Sequence, residues 1–275
     1  MNISWATPVY LLGLYGLTRY FIGKQEKKTG IGWTPLESIA VTVCIYFVGQ
    51  LLGGLIIYSV LYSLGWDEAR VSTWLQDNAV GQFLIILLIE SISVAALVRF
   101  LRLRQSNLKA IGLKGWPKLS DFGYASMAYV LYFIAYLVLL YTVKSWFPGL
   151  DLDQEQEIGF KNVAQWQLPL VFASLVILPP VVEEILVRGF LYTGLKSKLP
   201  RYVAIIITSC MFAAAHLQFG SNAPLLWVAA IDTFTLSLFL IYLRDKTGRL
   251  WSPIFLHAIK NFIAFLVLFV FTVGK

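Results

Sequence analysis

Apolar runs long enough to cross a bilayer recur along almost the whole chain. A helix needs about 20 mostly apolar residues to span the hydrocarbon core, and its backbone polar groups must be satisfied internally. Eight such helices are expected, at 5–22, 36–64, 81–98, 122–143, 167–192, 202–219, 224–243 and 251–272. This leaves an all-α, polytopic membrane bundle, with residues 1–275 forming a single integral domain. Composition agrees: 58% of residues are hydrophobic and 13% charged, against about 45–50% and about 25% in soluble domains. The second span is long and is expected to tilt or to kink at Gly53–Gly54. The N-terminal MNISWATPVYLLGLYGLTRYF lacks a basic region before its apolar stretch, so it reads as a retained span and not as a signal peptide. Cys44 and Cys210 lie in apolar runs without CxxC spacing and are expected to be buried small residues.

The net charge of +7 is a topology signal and not a nucleic-acid surface. Odd-numbered connections are basic: Lys24, Lys27 and Lys28; Arg99 to Lys118; Lys196, Lys198 and Arg201; Arg244, Lys246 and Arg249. The even ones, WDEARVSTWLQD, DLDQEQE and FGSNAP, are near-neutral, acidic and uncharged. The positive-inside rule then puts the odd loops in the cytoplasm and both termini outside, in a plasma or inner membrane. The stretch 105–120 reads as a basic cytoplasmic loop that also has the composition of an interfacial segment.

Ionisable residues in mid-span are costly and mark sites or pathways. This chain places Glu90, Glu183, Glu184, Arg188, Asp232 and Lys260 there, together with its two histidines, His216 and His257. Spans five and six make a hairpin. Along its arms Glu183 and His216 lie about 18 and about 21 Å from the basic loop, and His257 and Asn261 about 9 and about 15 Å along span eight. The four are expected to converge in one pocket, somewhat toward the cytoplasmic side. Glu184 and Arg188, at i and i+4, suit an ion pair. Glu183 is rotated about 100° away and is freer to meet His216. Pro179 and Pro180 remove backbone donors just before, which is expected to kink the helix and admit water. Lys260 needs a partner, and Glu90 and Asp232 lie at matching depth.

A carboxylate and an imidazole on one water form a general-base unit. A second imidazole and an amide supply donors to an oxyanion. Together they suit amide hydrolysis. Glu183, His216 and His257 also match a hydrolytic zinc site in ligand type, although HExxH is absent. Residues alone do not choose between metal-activated and Glu/His-activated water.

Three stretches resemble the motifs of one family. EEILVR is similar to EExxxR, FAAAH to FxxxH and HAIKN to HxxxN. The family is the CPBP intramembrane proteases, the Abi or type II CAAX-protease group, and the resemblance covers residues 166–265. It implies an eight-helix core, with Glu183 and His216 activating water and His257 and Asn261 stabilising the oxyanion. Glu184, Arg188 and Phe212 would support the site. It leaves the metal open, since the family has been described both as metalloproteases and as glutamate-dependent proteases. The expected substrate is a membrane-associated peptide or protein. The alternatives are a non-catalytic membrane scaffold, such as a bacteriocin-immunity-type protein, and a proton-coupled transporter.

Overall fold

The computed structural model describes residues 31–154, 159–160, 163–218 and 225–271. The expected first span and its basic connection lie outside them. Trp33–Lys275 forms one compact unit. Among the described residues the regular structure is entirely helical: α1 (Pro35–Ser63), α2 (Glu68–Asp77), α3 (Ala79–Leu103), α4 (Leu119–Trp146), α5 (Gln165–Lys196), α6 (Arg201–Ala215), α7 (Trp227–Thr247) and α8 (Trp251–Val270). Six of these are long and apolar enough to cross a membrane, α2 and the shorter apolar α6 being the exceptions. The protein is a polytopic helical membrane protein.

Local chemistry sets the boundaries. Thr34 caps α1, its hydroxyl accepting from Glu37 N at 3.2 Å while Glu37 Oε2 accepts from Thr34 N at 2.7 Å, with Pro35 in the first turn. Glu37 also pairs with Arg104, just beyond α3, which fixes one end of α1 to α3. Asn78 ends α2 and caps α3, accepting from the Val80 and Gly81 amides. The sequence reads α2 as part of a loop, because it carries only one buried residue, Val71.

At Gly53–Gly54, where a tilt or kink is expected, α1 runs on as one unbroken helix. Gly49 and Gly53, four apart, instead face α3. A Cβ on Gly49 would come within 2.7 Å of Ser93 Oγ, and one on Gly53 within 2.6 Å of Ile89 Cγ1. Two small residues at this spacing let helix backbones approach in a bilayer, where dispersion packing drives association. The cysteines depart from expectation too: Cys210 is exposed and Cys44 half-buried.

Helix α7 is central, packing on α4, α6 and α8. Leu236, Leu240 and Leu243 meet Ala125, Ala128 and Tyr132 of α4 and Leu256 of α8. On its other side Ile241 joins Leu191, Tyr192, Leu195, Ala204 and Phe212 of α5 and α6. At the basic end, Asp245 accepts from Tyr192 Oη at 2.9 Å, Lys196 Nζ at 2.6 Å and Arg201 Nε at 2.8 Å, which ties the α5–α6 hairpin to α7. The 104–118 connection is folded and not a free basic loop. Ile111 is fully buried, its carbonyl accepts from Arg244 at 3.0 Å, and the Gly112 carbonyl accepts from Leu250 N at 3.0 Å.

The close α1–α3 approach predicts that Gly49→Leu and Gly53→Leu each destabilise the bundle by about 1–3 kcal/mol through overpacking. Gly54→Leu, where a Cβ meets nothing within 4 Å, should be near neutral. Thermal unfolding in detergent reads the difference.

Candidate active site

The site is built on an irregular helix. Within α5, α-helical turns alternate with wide π-helical ones at Ala173–Ile177 and Glu184–Leu191. π-turns occur often at functional sites, because they shift side chains out of the regular register. The two prolines account for part of the irregularity. Leu175 O would ordinarily accept from the amide four residues on, which is Pro179 and has no N–H. Asn261 fills that place from α8, donating Nδ2 to Leu175 O at 2.9 Å. One of the expected oxyanion donors is thus also a clamp on the proline turn.

Glu184 and Arg188 form the expected pair, Nη1 to Oε1 at 3.0 Å, and both side chains have no exposure. Glu184 does a second job that spacing did not reveal. The same Oε1 accepts from His257 Nδ1 at 3.1 Å. The Arg188 guanidinium lies 4.1 Å from the centre of the Phe212 ring. The Phe212 ring stands edge-on to both imidazoles, at 4.8 Å from His216 and 5.9 Å from His257. Phe212 therefore packs against the Arg188 guanidinium and both imidazoles.

His216 ends α6, three residues before the expected boundary. Its Nδ1 sits 2.8 Å from Phe212 O, the carbonyl its own amide would take in a longer helix, while that amide turns to Ala213 O at 3.0 Å. A carbonyl only accepts, so Nδ1 carries the proton, and in the neutral ring Nε2 is left as an acceptor. Glu183 also approaches His257, its Oε2 lying 3.9 Å from His257 Nε2. That is too long for a hydrogen bond and is a span that one water bridges. Glu183 Oε2 is buried and has no hydrogen-bond partner in the protein.

These groups border one cavity of about 160 Å3, lined by Glu183, His216, His257 and Asn261 together with Asp232 and Lys260. Lys260 pairs with Asp232 at 3.0 Å and not with Glu90. Tyr132 of α4 also donates to Asp232, so the pair is anchored to a third helix. The lining runs from His257, about 9 Å from the basic end of α8, to Ala229, third residue of α7, and to Leu268, near the end of α8. Among the described residues no three His, Cys, Asp or Glu side chains gather closely enough to hold a metal ion. Glu183, His216 and His257 thus share a cavity without forming a metal cage.

Residues 165–263 match the family model of the Rce1-like type II CAAX prenyl endopeptidases. All three motif stretches fall inside that match, in the order α5, α6, α8. Over this stretch the chain is similar to the CPBP proteases. A second finding agrees: the chain is 29% identical over 113 residues to the "Putative membrane peptidase YdiL" of Bacillus subtilis, covering 41% of this chain and 43% of that protein. The match therefore spans less than half the length of this relative. No solved structure matches. Within the CPBP core, the EExxxR carboxylates separate into one that is fully buried, Glu184, and one whose side chain is 32% exposed to the cavity, Glu183.

Removing one partner of a buried ion pair leaves an uncompensated charge, which costs about 3–5 kcal/mol. Arg188→Met should therefore lower thermal stability by that amount, read by unfolding in detergent. Glu183→Ala, at the cavity edge, should leave the melting curve nearly unchanged.

Proposed function

We propose that the chain is an intramembrane endopeptidase that hydrolyses a peptide bond of a membrane-associated peptide or protein. The observation that carries the reading is the unsatisfied Glu183 Oε2, set 3.9 Å from His257 Nε2 inside a membrane-embedded cavity. A carboxylate of this kind holds a water and takes its proton. His216 Nε2, an acceptor on the same cavity, orients that water. The water oxygen attacks the carbonyl carbon, and charge develops on the carbonyl oxygen. An amide nitrogen carries two N–H groups, so Asn261 has one left for that oxygen while the other stays on Leu175. His257, whose Nδ1–H is held by Glu184, donates to the same oxygen through Nε2–H when the ring carries both protons. The proton on Glu183 then passes to the leaving amine, giving one new carboxylate and one new amino terminus. The match to the type II CAAX endopeptidase family and the name of the Bacillus subtilis relative support a peptidase.

Glu183→Ala and His216→Ala should each reduce cleavage by about 100-fold or more while the protein stays folded and inserted. Proteomics of new termini in membranes from cells carrying each variant measures it. A biological phenotype that survives both substitutions would overturn the enzyme reading in favour of a non-catalytic scaffold. The mechanism routes no step through a metal, so cleavage in purified, chelator-dialysed protein should proceed at the untreated rate. Loss restored by zinc alone would sink the Glu/His water-activation scheme.

A further inference from the structure

Hydroxyls inside helices usually bond to the carbonyl one turn back. Ser38, Ser126, Thr142, Thr233, Thr235 and Thr247 do so in this chain. Three hydroxyls where α5, α6 and α7 meet depart from that habit. Thr208 and Ser209 of α6 and Ser237 of α7 are fully buried, and none has a hydrogen-bond partner among the described residues. The buried ion pair shares the condition. Glu184 and Arg188 have no exposure, yet Glu184 Oε2, Arg188 Nε and Arg188 Nη2 are unpartnered. That makes six orphaned polar atoms on five buried side chains. Hydrocarbon offers no bulk water to satisfy them, and buried polar groups in native proteins nearly always find a partner.

These atoms belong to one place. Asp245 ties the basic ends of α5, α6 and α7 together. Measured from those ends, Thr208, Ser209, Arg188 and Ser237 lie about 10–15 Å deep by helical rise. Their faces also agree. The Arg188 guanidinium lies 4.1 Å from the centre of the Phe212 ring. Phe212 follows Thr208 by four residues and Ser209 by three, and a helical side chain leans over the turn before its own. The guanidinium therefore lies on the ring that covers the turn carrying both hydroxyls. From α7, Ser237 comes one turn before Ile241, which packs with Phe212, Val187 and Leu191. Ser209 comes one turn before Ala213, which packs with Ala230 across the α6–α7 contact. Glu184 Oε2 is the second oxygen of the carboxylate bonded to Arg188 Nη1. The groups converge without making direct bonds, and a gap of that kind between polar groups is what a water bridges.

We propose that the α5–α6–α7 interface is a binding site for a small cluster of ordered internal waters, held by Arg188, Glu184, Ser237, Thr208 and Ser209. The chemistry of the set selects water. The guanidinium N–H groups only donate, Glu184 Oε2 only accepts, and each hydroxyl does both. A water likewise donates and accepts, and a buried one takes about three partners. An anion here would meet the carboxylate, and a cation the guanidinium. The waters complete the hydrogen bonding of the buried pair, and so help to fix His257, which Glu184 holds through its other oxygen. None of the five residues lines the cavity, and the site does not depend on the endopeptidase reading.

The test is thermal unfolding of the full chain in detergent. Ser237→Ala, Ser209→Ala and Thr208→Val each remove one hydroxyl with little change of shape. Each should lower the melting temperature by about 2–4 °C, the worth of one net hydrogen bond in a chain of this size. Beside Arg188→Met, which takes two donors from the waters, the same losses should shrink to less than about 1 °C. Thr235→Val is the control: its hydroxyl bonds Ile231 O, so its effect should be equal with and without Arg188. Melting temperatures that stay unchanged or rise, as removal of a dry or self-bonded hydroxyl would give, overturn the proposal. Losses that persist undiminished beside Arg188→Met overturn it too. Where Arg188→Met does not fold, a high-resolution crystal structure decides. Water density bonded to the guanidinium and to Ser237 supports the site, and hydroxyls turned to their own helix carbonyls with no density between them overturn it. An anomalous peak at this place in bromide-soaked crystals would replace water with an anion and overturn it as well. All of these readouts are made without substrate, so they stand apart from whether Glu183→Ala abolishes cleavage.

Discussion

Glu184 is a carboxylate with no exposure, shared through one oxygen by Arg188 and His257. Taking both ions of such a pair out of water costs several kcal/mol each, and only good geometry and further partners offset it. Here the guanidinium adds the face of Phe212, and the carboxylate adds an imidazole. The result is a fixed point to which α5, α6 and α8 are all referred. If that point moves, His257 loses its orientation and Phe212 loses the cation it packs on. The pair does not touch the cavity, yet it decides where the cavity groups stand.

A second constraint comes from the backbone. Two successive prolines in a membrane helix leave carbonyls without their usual donors, and hydrocarbon offers no water to replace them. The chain answers with a π-turn before the prolines and with Asn261 from α8. The irregular turn thereby becomes a contact between two helices. The same helix widens again across Glu184–Leu191, which spans both members of the buried pair. Irregular helix in this protein is confined largely to where side chains must be aimed.

The chain read as a string disclosed more of the site's membership than of its geometry. Long apolar runs left little freedom in the fold, and mid-span charge is rare enough to single out Glu183, Glu184, Arg188 and Lys260. Spacing of four was sufficient for the Glu184–Arg188 pair, because that contact is local to one helix. Contacts between helices were another matter. Nothing in the order of residues says that Glu184 also reaches His257, that Glu183 approaches His257 as well, or that Asp232 and not Glu90 answers Lys260. Gly53 was read with Gly54 as a place to tilt or kink, and not with Gly49 as a packing pair, because a missing side chain looks the same whether it permits bending or close approach.

The folded 104–118 connection has a consequence for biosynthesis. Its carbonyl groups find their donors 133 to 138 residues further along the chain. During synthesis those peptide groups emerge long before the α7–α8 turn exists, and solvent must satisfy them meanwhile. The seal at the basic end can close only when the last two helices are in place. A ribosome-bound chain lacking α8 is therefore an unsealed bundle, with the EExxxR carboxylates already inserted and their imidazole partner still to come. Completion of the hydrolytic site and closure of the bundle are then one late event, and a truncated chain acquires neither.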